Sequence, residues 1–193
     1  MSNEAIKKSN RRKLIGLLIL MLSPVVISYA LYFSDFRPKS THYGDLMPLV
    51  KMTGKGTNVQ DNTILRMRDL HGKWVLLQVD SGSCDEACQR KLYLMRQVRM
   101  VQGKEKERIE RLWLINDAVK PEDRLFKDFD GTLFINAEQS EMLGLVETKD
   151  TQTKHIYLID PQGNLMMRFP EGADGTLMGK DLKRLLQVSQ VEH

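Results

Sequence analysis

Cys84 and Cys88 are the two cysteines of the chain, separated by Asp85-Glu86-Ala87. A C-x3-C pair can cycle between dithiol and disulfide, or hold a soft cation such as Cu(I) between two thiolates. A purely structural disulfide is the weaker alternative, because stabilisation grows with the loop closed and this loop is tiny. A spacing of four puts both side chains on one helical face. Facing Cβ atoms there lie about 5–6 Å apart, while a relaxed disulfide needs about 3.5–4.5 Å. Cys84 must therefore unwind slightly to reach Cys88. The first helical turn favours a thiolate, and the carboxylates of Asp85 and Glu86 oppose one.

The flanking elements must place this pair. Lys73–Asp80 is a near-continuous apolar run, the mark of a strand buried on both faces. Ser81-Gly82 reads as a turn. Ser83 followed three residues later by Glu86 fits a capping box, which predicts a helix from Cys84 to about Val101 with Ala87, Leu92, Met95 and Val98 inward. Lys104–Arg111 alternates charge and reads as a solvated loop. Leu112–Asn116, Leu133–Ile135 and Ile156–Ile159 are further strands. A weak helix lies near Glu122–Lys127 and a short one near Gln139–Leu145. Pro161-Gln-Gly-Asn is turn chemistry, so Leu165–Phe169 returns as a hairpin. Met178, Leu182, Leu185 and Leu186 give the last helix an apolar face. The order β-α-β-α-β-α-β-β-α describes a thioredoxin-like α/β sandwich over residues 63–193, with the cysteines after a core strand at a helix start.

Upstream lies a different solvent. Leu14–Phe33 is uncharged and apolar except for Gly16, Ser23, Pro24 and Ser28. Roughly 20 such residues cross the hydrocarbon core as a helix. Ser28-Tyr29-Ala30 resembles a leader cleavage site, but apolar residues continue to Phe33, which favours a retained transmembrane anchor. Tyr29, Tyr32 and Phe33 suit the outer interface. Residues 1–13 carry Lys7, Lys8, Arg11, Arg12 and Lys13 against Glu4. The formal charge of +4 thus sits on that tail, and the remainder balances. This excludes a nucleic-acid reading and keeps the tail cytoplasmic by the positive-inside rule. The expected organisation is a tail (1–13), an inner-membrane anchor (14–33), a periplasmic tether (34–62) and a periplasmic domain (63–193). The tether is assigned from its Pro, Gly and polar content and its lack of periodicity.

Trp74-Val-Leu-Leu-Gln-Val-Asp-Ser-Gly-Ser-Cys84-Asp-Glu-Ala-Cys88 resembles the strand, loop and C-x3-C of the SCO/SenC family, and Ile156-Tyr-Leu-Ile-Asp-Pro-Gln-Gly-Asn-Leu resembles its later hairpin. Asp69-Leu-His-Gly-Lys-Trp-Val-Leu-Leu is similar to the segment leading into its first core strand. With Tyr43-Gly-Asp-Leu and His155-Ile-Tyr-Leu-Ile-Asp-Pro, the chain looks like a divergent group of SCO-like transmembrane proteins found beside oxidase genes in some proteobacteria. The likeness spans roughly residues 64–190. It implies a membrane-anchored, thioredoxin-like factor that helps insert copper into cytochrome c oxidase, with oxidase subunits or other copper and thiol assembly factors as partners. Cys84 and Cys88 would then be redox residues and Cu(I) ligands. Two departures stand out: the family's Pro after the first Cys is Asp85, and its copper-binding His falls on Gln152. His155 is the nearby candidate third ligand, although its odd offset on an extended segment reverses its face. Exchange through a general periplasmic thiol–disulfide oxidoreductase, or a scaffold that has lost copper, are the alternatives.

Other residues read more plainly. The eleven methionines form no Met-x-Met cluster and suit core filling. Met166 and Met167 must point to opposite sheet faces. His42 and His71 fall in loops and His193 at the C-terminus. Asn116-Asp117 follows a strand and fits either the site's edge or a helix cap. No phosphate loop, Gly-x-Ser-x-Gly or His-Glu-x-x-His pattern occurs.

Overall fold

The computed structural model describes residues 3–33, 42–146 and 151–189. The side chains of residues 1–12, residues 34–41 of the expected tether, and His193 lie outside the described residues. The chain divides into two compact units between Thr41 and His42.

The first unit is one helix, α1 (Asn3–Phe33), which continues through Pro24. Its window Lys13–Ala30 has mean hydropathy 2.0 and is long and apolar enough to cross a membrane. Leu14, Ile15, Leu17, Ile19 and Leu20, which point in different directions around the axis, are all exposed on it, so its apolar surface goes all the way round.

The second unit is an α/β sandwich. Its strands are β1 (Asp45–Lys51), β2 (Lys55–Asn58), β3 (Ile64–Arg66), β4 (Trp74–Asp80), β5 (Ile109–Ile115), β6 (Thr132–Asn136), β7 (Ile156–Ile159) and β8 (Asn164–Phe169). They form one sheet in the order β1-β8-β7-β4-β5-β6-β2-β3. β4, β5 and β6 run parallel, while β7 and β8 return antiparallel beside β4. The helices are α2 (Glu86–Met100), α3 (Asp123–Asp128), α4 (Met142–Val146) and α5 (Gly175–Val188).

Alternation divides the core between the two sheet faces. Val75, Leu77, Val79, Leu112, Leu114 and Tyr157 point to the side where Met67, Leu70, Met142 and Val146 pack. Trp74, Leu76, Ile109, Ile156 and Leu158 point to the side covered by Met95 and Val98 of α2 and by Met178, Leu182 and Leu186 of α5. Met167 is buried and Met166 only partly. Ala87, expected inward, is exposed, and Arg111, expected in a solvated loop, is buried on β5. β5 begins at Ile109, earlier than the apolar run, because its register against β4 starts at Trp74–Ile109.

Residues 42–62 are not a tether. β1 pairs with β8 at one edge of the sheet and β2 with β6 near the other, so the domain begins at His42. Both segments hide their period. β1 is exposed on both sides over much of its length and shifts register between Leu46 and Val50. β2 uses Gly56, where a Cβ would lie 2.3 Å from Ile135 Cγ2 and 2.7 Å from the Asn136 carbonyl. The segment ahead of β1 is held by Asp181 of α5. This carboxylate is 2% exposed and accepts from the N–H groups of Tyr43 at 2.6 Å and Gly44 at 2.9 Å. An acid on the buried stripe of an amphipathic helix was a legible signal, since buried carboxylates need donors.

Candidate functional site

Cys84 and Cys88 are joined in a disulfide with Cα atoms 5.1 Å apart. The helix starts later than the Ser83–Glu86 pattern predicts. Asp85 is the cap, and its side chain accepts from the N–H of Cys88 at 2.9 Å. Cys84 therefore lies just before the helix and not at its first position. Its φ is +40°, the left-handed region that non-glycine residues seldom occupy. Leaving the helix is how this residue reaches Cys88, as the Cβ spacing required. Cys88 is the sulfur within the first helical turn, where the dipole acts.

The same geometry accounts for the missing proline. A Pro at position 85 would fit the φ of −65° found there. It would also force the preceding residue toward extended backbone, and Cys84 is not extended.

Both cysteines are enclosed: Cys84 is 3% exposed and Cys88 0%. They share a buried cluster with Leu92, Trp113, Ile115, Leu125, Phe129 and Phe134. Gln78 of β4 is fully buried beside them, and its Nε2 donates to Cys88 Sγ at 3.5 Å. Cys84 has at most a slight advantage in access over Cys88.

The loop ahead of Cys84 is fixed by Asp117, the residue expected at the site's edge. Its Oδ1 accepts from the N–H of Gly82 at 3.0 Å and of Val119 at 3.1 Å. Burial pushes the Asp117 carboxyl up, but hydrogen bonds from Ser81, Gly82 and Val119 outweigh it and hold the carboxyl below its ordinary value. A depressed carboxyl contributes stability that is complete above the unfolded value, about 3.9. That stability is lost as pH falls through the folded value. The stability of the wild-type chain is thus expected to drop between about pH 5 and 2 more steeply than that of Asp117→Asn. Urea unfolding across that range measures it, and parallel curves would contradict it. Asp80 works in the opposite sense. Its burial raises its carboxyl, with Lys91 partly offsetting this, so its ionisation is a cost that acid relieves.

Asp80 and Lys91 form an ion pair at 2.8 Å, and Lys91 also donates to the Thr153 carbonyl. This ties α2 to the end of β4 and to the segment before β7. Beside it a cleft of about 400 Å³ opens, lined by Asp80, Asp85, Ala87, Lys91, Thr153 and Pro170 among others.

His155 is not brought to the sulfurs. Ile156 pairs with Gln78 across β7 and β4, so His155 belongs to the opposite face. Its Nδ1–H donates to the Phe169 carbonyl at 2.9 Å, and its ring meets Tyr157 edge-on. Gln152 is buried, with an Oε1 that accepts no hydrogen bond. Among the described residues no three His, Cys, Asp or Glu side chains converge on a point that could hold a metal ion. A soft cation would find two sulfurs and the Gln78 carboxamide, which does not amount to a three-ligand copper site. His71 is exposed at the end of a 3-10 turn. Gln78, Gly82 and Lys91 were missed from the sequence. Gln78 carried a signal, being the polar residue within the apolar run Trp74–Val79.

The sandwich is a thioredoxin-like fold, with the Cys84–Cys88 disulfide between a central parallel strand and the helix α2. Residues 74–189 match the family described as transmembrane-like, thioredoxin-like, C-terminal domain, and the chain belongs to that family. The fold is shared with a copper-bound ScoI from Bradyrhizobium japonicum, at 19% identity and TM-score 0.55, covering 70% of this chain and 98% of that one. A SCO1/SenC family lipoprotein from Bacillus anthracis str. Ames gives 19% identity and TM-score 0.56, with 73% and 97% covered. Copper-bound yeast Sco1 gives 14% and 0.52, with 78% and 91% covered. No curated protein matches the chain.

Proposed function

We propose that this protein is a membrane-anchored thiol–disulfide exchange factor serving the assembly of cytochrome c oxidase. The carrying observation is the Cys84–Cys88 disulfide, which spans the helix cap and ties no distant segments together. Such a bond contributes little to stability by closing a loop, so its use is chemical. In exchange, the thiolate of Cys84 attacks a partner's disulfide, and Cys88 then displaces the partner and closes the intramolecular bond. The cleft beside Ala87 offers the partner's cysteine segment a place to lie.

Anchorage through residues 14–33, with the tail in the cytoplasm and the domain in the periplasm, follows from the basic cluster before the helix. The oxidase role is supported by the SCO-like sequence blocks, with the Sco fold neighbours consistent with it. Cu(I) as cargo on the two sulfurs is the second reading, favoured by the neighbours solved with copper bound.

The test uses the full-length protein in detergent with an oxidised dicysteine peptide from the copper-binding oxidase subunit. Reduced wild-type protein should reduce the peptide. Cys88→Ser should accumulate a mixed disulfide through Cys84, and Cys84→Ser should fall to the uncatalysed background. No mixed disulfide, together with normal oxidase activity in cells carrying Cys84→Ser Cys88→Ser, would sink the proposal. Cu(I) uptake that disappears in the double variant would support the cargo reading.

A further inference from the structure

Gln78 is 0% exposed and stands in a strand whose neighbours Trp74 to Val79 are all apolar. Its Nε2 donates to Cys88 Sγ at 3.5 Å, and its Oε1 is buried without a partner. A leucine of similar size would bury at no such cost, since an unpaired buried acceptor is unfavourable. The oxidised state thus uses only half of this carboxamide. A disulfide sulfur has no hydrogen to give and is a weak acceptor, whereas a thiol both donates and accepts.

Reduction supplies the missing hydrogen. An external dithiol transfers two electrons and two protons. The S–S bond breaks, one S–H bond forms on each cysteine, and the dithiol leaves as its own disulfide. Cys88 Sγ then carries a proton beside a carboxamide whose Nε2 already reaches it and whose terminal torsion is soft and broadly two-fold, so that rotation can offer the sulfur its oxygen instead. Either end of the amide now has a use at the sulfur.

We propose that Gln78 sets the redox poise of the pair by holding Cys88 more favourably as a thiol than as a disulfide, making the disulfide easier to reduce. The inference rests on the exchange reading of Cys84 and Cys88, and it adds the group that tunes them. A residue that merely filled the core would affect both oxidation states alike and leave their ratio unchanged.

The experiment equilibrates the full-length protein in detergent with reduced and oxidised glutathione and measures the fraction of disulfide. Gln78→Leu and Gln78→Met should shift the equilibrium toward the disulfide by about tenfold, which for two electrons is about 30 mV toward more negative potential. A shift under threefold in both variants, or one in the opposite direction, overturns the proposal. If neither variant folds, the wild-type protein decides by NMR. The Gln78 side-chain amide signals should move between the oxidised and reduced states, and unchanged signals overturn it. Glutathione needs no oxidase partner, so the assembly role can fail in the peptide assay while the effect of Gln78 stands, and the reverse also holds.

Discussion

Gly82→Ala is expected to destabilise the domain by about 3 kcal/mol, at or beyond the upper end of what overpacking costs, and to loosen the loop that carries Cys84. A Cβ at position 82 would lie 1.7 Å from the Val119 carbonyl oxygen and 2.6 Å from its carbon. Those atoms are backbone, so no rotamer change relieves the clash. The loop 81–84 and the segment 117–119 must separate. Separation stretches the bond from the Gly82 N–H to Asp117, and the N–H is left inside without its acceptor, a further cost. Denaturant unfolding measures the loss. The rate of reduction by dithiothreitol should rise in the same variant, because both cysteines are enclosed when the loop is seated. A loss under about 0.5 kcal/mol, within the range of ordinary surface substitutions, would mean that the two loops part easily and that the close approach is unimportant.

What could be read ahead of the structure follows from where each signal is stored. β4, β5 and β7 announced themselves because strands buried on both faces need apolar residues at every position. α5 did so through an apolar stripe at helical spacing. β1 and β2 escaped because they lie toward the edges of the sheet, where burial is incomplete and backbone pairing carries the interaction. The start of α2 was misplaced because two cap patterns overlap there: Ser83 with Glu86, and Asp85 with the N–H of Cys88. The constraint that decides between them is the disulfide, which takes Cys84 out of the helix. The paired cysteines and their strand were plain in sequence. Residues 151–154 form a turn, not the extended segment along which the offset of His155 from Gln152 was counted, and the place of His155 is read instead from Ile156 pairing with Gln78 and from its edge-on contact with Tyr157. Asp117 was legible only as one of two roles, because its partner Gly82 belongs to a separate loop 35 residues away in sequence.

Trp113→Ala should produce the other large effect, a loss of about 3–5 kcal/mol in line with other buried aromatic truncations. Trp113 is 0% exposed, lies across from Gln78 in the register of β5 against β4, and packs its ring against Phe134 at 5.4 Å. Its indole N–H donates to the Asp80 carbonyl at 3.4 Å, at the end of the strand that leads into the cysteine loop. Truncation removes the apolar contacts, opens a cavity in the cluster that holds both cysteines, and takes a donor from the Asp80 carbonyl. Trp113→Phe keeps most of the packing and should cost clearly less, so the difference between the variants separates the cavity from the hydrogen bond. Against a total domain stability on the order of 5–15 kcal/mol, the alanine variant sits near the threshold of folding. Urea midpoints are therefore to be compared with the disulfide intact. A loss under about 1.5 kcal/mol for the alanine variant would show that α3 and Phe134 collapse into the space, and that the enclosure of the disulfide does not depend on the indole.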